Sequence, residues 1–180
     1  MVTIQDIQQN EDEHIAKVVI YQRGNGLWTK EQFLEIKSDC YFKFRVKVGD
    51  YNNDGYNDIT LVTGQAARDA NELRTLLLFN KKMETFIPIR NSQDYPNLTY
   101  NSKRNCVEAW SFSAGVTTTF LEIQGDSIIK LASVDYTGGV REVNKFDKIG
   151  SSILLSRDSI KEVDDFPRYC NYDPVEVYSE

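Results

Sequence analysis

The stretch VKVGDYNNDGYNDITLV, residues 46–62, decides the fold reading of this chain. Asp50, Asn52, Asp54, Gly55 and Asp58 stand there at relative positions 1, 3, 5, 6 and 9, the spacing of a D-x-[DN]-x-[DN]-G calcium loop. A hard cation such as Ca²⁺ takes roughly six to eight oxygens at about 2.3 to 2.6 Å, and short side chains at alternate positions of a tight turn bring them to one point. Gly55 permits the sharp bend. Tyr56 would offer its main-chain carbonyl at position 7, and Asp58 a carboxylate at position 9, directly or through a water. The expected cofactor is therefore Ca²⁺, with Asp50, Asn52, Asp54, Tyr56 and Asp58 as its ligands.

Position 12 is Leu61, where an EF-hand has a bidentate Glu, and both flanks alternate as strands do. Phe42, Phe44, Val46 and Val48 alternate with Lys43, Arg45 and Lys47, and Ile59, Leu61 and Thr63 follow the loop. A strand-loop-strand turn is expected, not a helix-loop-helix. The competing reading is a metal-free turn, because Asn, Asp and Gly favour turns for their own backbone reasons.

Outward from the loop, β-branched and aromatic runs predict strands over residues 14–22, 39–48, 57–62, 73–80, 84–87, 106–112, 117–124, 127–135, 140–146, 151–156 and 160–163. Residues 27–36 are ambiguous between strand and short helix, and 64–72 and 88–105 read as irregular. The segment 24–26 is a turn signal, and Thr137–Gly139 is hairpin chemistry with glycine available for positive φ. The expected fold class is all-β, with antiparallel sheets in a sandwich or small barrel-like or propeller-like arrangement around the calcium turn. One domain over residues 1–180 is expected, with 1–13 a loose N-terminal arm and 164–180 an acidic, aromatic C-terminal tail. The calcium loop does not recur, so a full propeller of such blades is not expected.

The 21 Lys and Arg against 27 Asp and Glu leave a net charge of −6. Nucleic acid is a poor partner for such a chain, whereas a basic protein would be steered toward it. No run approaches the roughly 18 apolar residues of a membrane span, and the first residues form no leader. That leaves a cytosolic protein, or one whose leader precedes Met1. Cys40, Cys106 and Cys170 form no CxxC; three thiols, or one disulfide and one thiol, remain open.

The single histidine, His14, removes His-based metal sites, and no G-x-S-x-G elbow is present. A glycosidase would need two facing carboxylates. The densest acidic set is the loop, where proton transfer would compete with ligation. Glu162, Asp164 and Asp165 read as a solvated edge. No catalytic residue is assigned.

The order FKFRVKVGDYNNDGYNDITLVTG, LRTLLLFNKKMETFIPI, LTYNSKRNCVEAWSFSAGVTTTFLEIQGDSIIKLASVDY, over about residues 14–136, resembles bacterial envelope proteins related to periplasmic lysozyme inhibitors. Members of that family include immunity proteins against peptidoglycan-hydrolase toxins delivered by secretion systems. The resemblance implies a periplasmic, calcium-stabilised, non-enzymatic β scaffold whose loops occlude the active site of a secreted effector, a basic peptidoglycan hydrolase. Ser111, Ser113, Gly115 and Val116 are the partner contacts it implies, although the Tyr of the family's Ser-Gly-x-Tyr-like loop is missing here. A calcium-dependent adhesin or carbohydrate-binding module is the alternative.

Overall fold

The computed structural model describes residues 1–10, 13–38, 45–160 and 166–178. Its strands are β1 (Val2–Asn10), β2 (Glu13–Gly24), β3 (Leu27–Ser38), β4 (Val46–Gly49), β5 (Asp58–Ala66), β6 (Asn71–Asn80), β7 (Thr85–Pro88), β8 (Thr99–Asn101), β9 (Cys106–Phe112), β10 (Val116–Gln124), β11 (Ser127–Thr137), β12 (Val140–Phe146), β13 (Ser152–Ser159), β14 (Tyr169–Tyr172) and β15 (Val175–Val177). Among the described residues one 3-10 turn, Ser92–Asp94, interrupts them.

Among the described residues every strand pair is antiparallel, and the strands fall into four sheets: β1-β2-β3, β4-β5-β6-β7, β13-β12-β11-β10-β9-β8, and β14-β15. Among the described residues none closes into a barrel. The sheets pack face to face, which explains the unbroken Leu76-Leu77-Leu78. Side chains alternate across a strand, and β6 is covered on both faces. Leu77 joins Ala16, Val18, Ile36 and Leu61 in the core against the first sheet. Leu76 and Leu78 join Tyr51, Leu98, Val107 and Leu121 in the core against the six-stranded sheet. The far face of that sheet buries Phe120, Val134 and Val143 against Tyr169 of the last hairpin.

Primary amides fasten the layers. Phe86 N–H donates to Gln32 Oε1 at 2.7 Å while Gln32 Nε2 donates to Phe86 O at 2.6 Å, so one side chain pairs the β7 edge as a strand would. Asn71 brackets Phe112 in the same way at 2.8 and 2.9 Å. Asn91 brackets Ile128 at 2.8 Å in both directions. Each amide satisfies a donor and an acceptor that burial would otherwise leave unpaired.

Three sequence expectations change. Residues 2–10 are not a loose arm but strand β1, which pairs with β2 from Val2 opposite Ile20. Among its described side chains, Ile4 packs on the first core. The expected 64–72 loop shrinks to a turn at residues 67–70, because β5 runs on to Ala66 and Gly64 lies under the Leu73 side chain, 3.1 Å from where its own Cβ would stand. The ambiguous 27–36 segment is strand, joined to β2 by a turn with Asn25 at φ 52° and Gly26 at φ 82°. In the tail, β14 and β15 form a hairpin. Cys40, Phe42, Phe44, Glu162, Asp164, Asp165 and the His14 side chain lie outside what is described.

Candidate functional site

The Asp50–Asp58 turn joins β4 to β5 at the junction between the second and third sheets. The Asp50 carboxylate accepts the Asp54 N–H at 3.1 Å through one oxygen and the Gly55 N–H at 2.8 Å through the other. The chain is thereby drawn into a loop around the side chain at its first position. Asn52 Oδ1 also accepts the Asp54 N–H, at 3.3 Å, and Asn52 Nδ2 donates to Asp54 Oδ2 at 2.9 Å. Asn53 at φ 57° and Gly55 at φ 85° supply the left-handed backbone that the bend requires. Asp50, Asn52 and Asp54 are thus brought together by the loop's own hydrogen bonds.

Asp58 is turned inward and fully buried. Its two oxygens accept the Tyr51 N–H at 2.8 Å and the Phe79 N–H at 2.9 Å, tying the turn to the next strand. Burial pushes its carboxyl above the usual carboxylate range, the charges of Asp54 and Asp50 add to that, and the two main-chain donors oppose it. Tyr56 lays its ring beside Phe79, centroids 5.7 Å apart, with the Lys81 ammonium 4.8 Å from its centroid. Asn53 Nδ2 donates to Asn105 Oδ1 at 3.0 Å, and the Tyr100 hydroxyl donates to the same oxygen at 2.7 Å, pinning the turn to the third sheet.

As a donor set the loop is all oxygen, which suits a hard cation. Among the described residues no three His, Cys, Asp or Glu side chains stand together as a metal cluster. Asn52 and the Tyr56 carbonyl would have to complete a shell that Asp50 and Asp54 begin. Clefts flank the turn on both sides. One, of about 220 Å³, is lined by Tyr51, Asn52, Arg104, Asn105 and Glu122 among others. The other, of about 350 Å³, runs past Asn52, Asp54, Asn80, Lys81 and Gly125.

The expected partner-contact residues separate. Ser113 and Ala114 are exposed at the tip of the β9–β10 hairpin, and Ser111 is half-buried. Val116 is corrected: at 1% exposure it packs inside and offers a partner nothing. Gly115 is a close-approach position, since a Cβ there would collide with the Tyr136 carbonyl and the Thr137 hydroxyl. Beside the tip, Phe166 is 60% exposed and stacks edge-on with Phe112, which in turn meets Trp110.

Two polar clusters escaped sequence reasoning. Glu108, fully buried, accepts from Asn101 Nδ2 at 2.5 Å, from the Tyr178 hydroxyl at 2.9 Å and from Arg168 Nε at 2.8 Å, with a further Arg168 contact. Burial, and the Glu108 charge beside it, push the Tyr178 phenol well above its ordinary value. Arg74, 1% exposed, donates to Thr60 Oγ1 at 3.2 Å and pairs with Glu72, which Arg45 also reaches at 2.8 Å. The available signal was a charge inside an apolar strand, Glu108 in CVEAWSF and Arg74 in LRTLLLFN.

Among the described residues no helix is long and apolar enough to cross a membrane. No family model and no curated protein matches the sequence. Among solved structures, one of a Xanthomonas type IV secretion system related protein is similar in fold, with 12% identity and a TM-score of 0.51 over 84% of this chain and 85% of that one.

Proposed function

We propose that this chain is a calcium-binding, non-enzymatic immunity protein or inhibitor that neutralises a secreted antibacterial effector by occluding its active site. The observation that carries the reading is the turn itself. Asp50, Asn52 and Asp54 are tied together by main-chain and side-chain hydrogen bonds within the loop, and Asn52 lines a cleft on each side, one of them shared with Asp54. A cation there would neutralise the crowded carboxylates and stiffen the platform that a partner meets. The fold shared with a secretion-system related protein is consistent with this role.

The proposed partner is a basic peptidoglycan hydrolase, met in the periplasm, where a net charge of −6 speeds the encounter. The contact surface is revised from the sequence expectation. Ser113 and Ala114 at the hairpin tip and the neighbouring Phe166 are presented to solvent, and aromatic side chains such as Phe are enriched at interfaces. The test is to mix the protein with a panel of secreted peptidoglycan hydrolases in calcium and in chelator. Inhibition of at least one enzyme, weakened by Phe166→Ala, supports the reading; a panel left fully active overturns it.

A further inference from the structure

The first sheet is open on its outer face toward the β2–β3 turn. Ala16, Val18, Ile20, Leu34 and Ile36 point into the core. The alternate residues therefore face outward, Arg23 opposite Trp28, Tyr21 opposite Lys30, Val19 opposite Phe33 and Lys17 opposite Glu35. Trp28 and Phe33 are 48% and 43% exposed, and Leu27, beside them at the turn, is 75% exposed. The cations here sit against rings. Arg23 lies 5.8 Å from the centre of the Trp28 ring, and Lys30 and Lys17 lie 4.7 and 6.0 Å from that of Phe33. Lys17 also meets Glu35 at 3.7 Å, whereas Arg23 and Lys30 have no carboxylate partner among the described residues. With Glu31 in the β3 bulge, three cations face two carboxylates on this end of the sheet. A chain of net charge −6 thus carries its whole acidic excess elsewhere.

A partner that uses both features must be anionic and must offer apolar depth beneath its charge. A nucleic acid or an acidic peptide would pair with Arg23 and Lys30 and stack on the rings, but would leave the aliphatic Leu27 in water. A bilayer takes all of them: indole at the level of the headgroups, Leu at the acyl boundary, and Lys and Arg against anionic headgroups. We infer that the β2–β3 end of the first sheet docks on the surface of a membrane containing anionic lipid, with Leu27 and Trp28 set into the interface and Arg23 and Lys30 on headgroup phosphates. The uneven charge of the molecule selects this face, since the same surface repels the acidic remainder. The contact is peripheral and uses neither the Asp50–Asp58 turn nor the hairpin tip at Ser113.

The test is sedimentation of the intact protein with vesicles of phosphatidylglycerol and phosphatidylcholine in equal parts, and with phosphatidylcholine alone, at low salt. Tryptophan emission is read in parallel. Binding to the mixed vesicles with a blue shift is expected, and little binding to phosphatidylcholine. The chain has two tryptophans, and Trp28→Phe should remove the shift, leaving the Trp110 signal unchanged. Arg23→Gln and Lys30→Gln, both at exposed positions, should keep the fold and each weaken binding about five-fold, as expected for one cation lost near an anionic surface. Arg68→Gln makes the same change in net charge at an exposed turn and should leave binding as it was. No binding, equal binding to the two vesicles, unchanged emission, or an Arg68→Gln effect as large as that of Lys30→Gln overturns the inference. Binding of a single-stranded oligonucleotide that is lost in Arg23→Gln, without binding to vesicles, would assign the face to a soluble polyanion and overturn it equally.

Discussion

Asn71→Ala tests whether the amide brackets hold the sheets together. Asn71 is 8% exposed and closes two hydrogen bonds to Phe112, one from Phe112 N–H at 2.9 Å and one to Phe112 O at 2.8 Å. The alanine leaves both main-chain groups without partners. At about 1–3 kcal/mol for each buried group left unsatisfied, and with some relief from water at this half-buried strand end, a loss of about 2–4 kcal/mol is expected. For a chain of this size each kcal/mol moves Tm by roughly 2–4 °C, which gives a drop of about 5–15 °C. Thermal unfolding followed by circular dichroism reads that drop, and hydrogen exchange at the Phe112 amide localises it. Gln124→Ala is the control, since its exposed amide bonds the neighbouring Glu122 side chain at 3.3 Å and its loss should shift stability by less than about 0.5 kcal/mol. Equal small effects in the two variants, with Phe112 exchange unchanged, would refute the bracketing argument.

The remaining predictions concern charge and packing. Glu72→Gln should cost about 3 kcal/mol at neutral pH, because buried Arg74 loses its counter-charge, a figure to be read from urea titrations. Burial raises the Glu72 carboxyl, but the Arg74 hydrogen bond and charge, with Arg45 and Lys47, outweigh it and hold the group below its ordinary value. Its contribution is therefore complete above pH 4.5, the ordinary value, and is lost as pH falls through the lowered folded value; acid titration of Glu72→Gln should show a shallower decline. Gly115→Ala should lose about 1–3 kcal/mol, read from thermal unfolding, because its Cβ has no space against Tyr136 and Thr137. Asp58→Ala should destabilise the protein by about 2–5 kcal/mol even in chelator, since the Tyr51 and Phe79 N–H groups lose their acceptor.

Periodicity located the strands well where both neighbours in the sheet are present. Cys106–Phe112 and Val140–Phe146 have the bounds expected from the sequence. It failed on β1, where polar side chains on an edge strand dilute the Val2 and Ile4 alternation until the segment reads as solvated. It also failed where Gly64, taken as a loop signal, marks a close approach to Leu73 inside a continuous strand. At the turn, spacing alone placed Asp50, Asn52 and Asp54 together, because their grouping is local. The second bond of Asp58 goes to Phe79, 21 residues away, and the burial of Val116 depends on how distant layers stack. Neither is encoded in a nearby pattern.

The proposal of a cation in the Asp50–Asp58 turn is tested most directly by calorimetric titration of the calcium-free protein with Ca²⁺, in parallel with Asp54→Ala. One bound ion is predicted for the unaltered chain and none for the variant. A matching rise in unfolding free energy is also predicted, about 2.7 kcal/mol when free calcium is 100 times the dissociation constant. No binding heat, with the same Tm in millimolar calcium as in chelator, would contradict it.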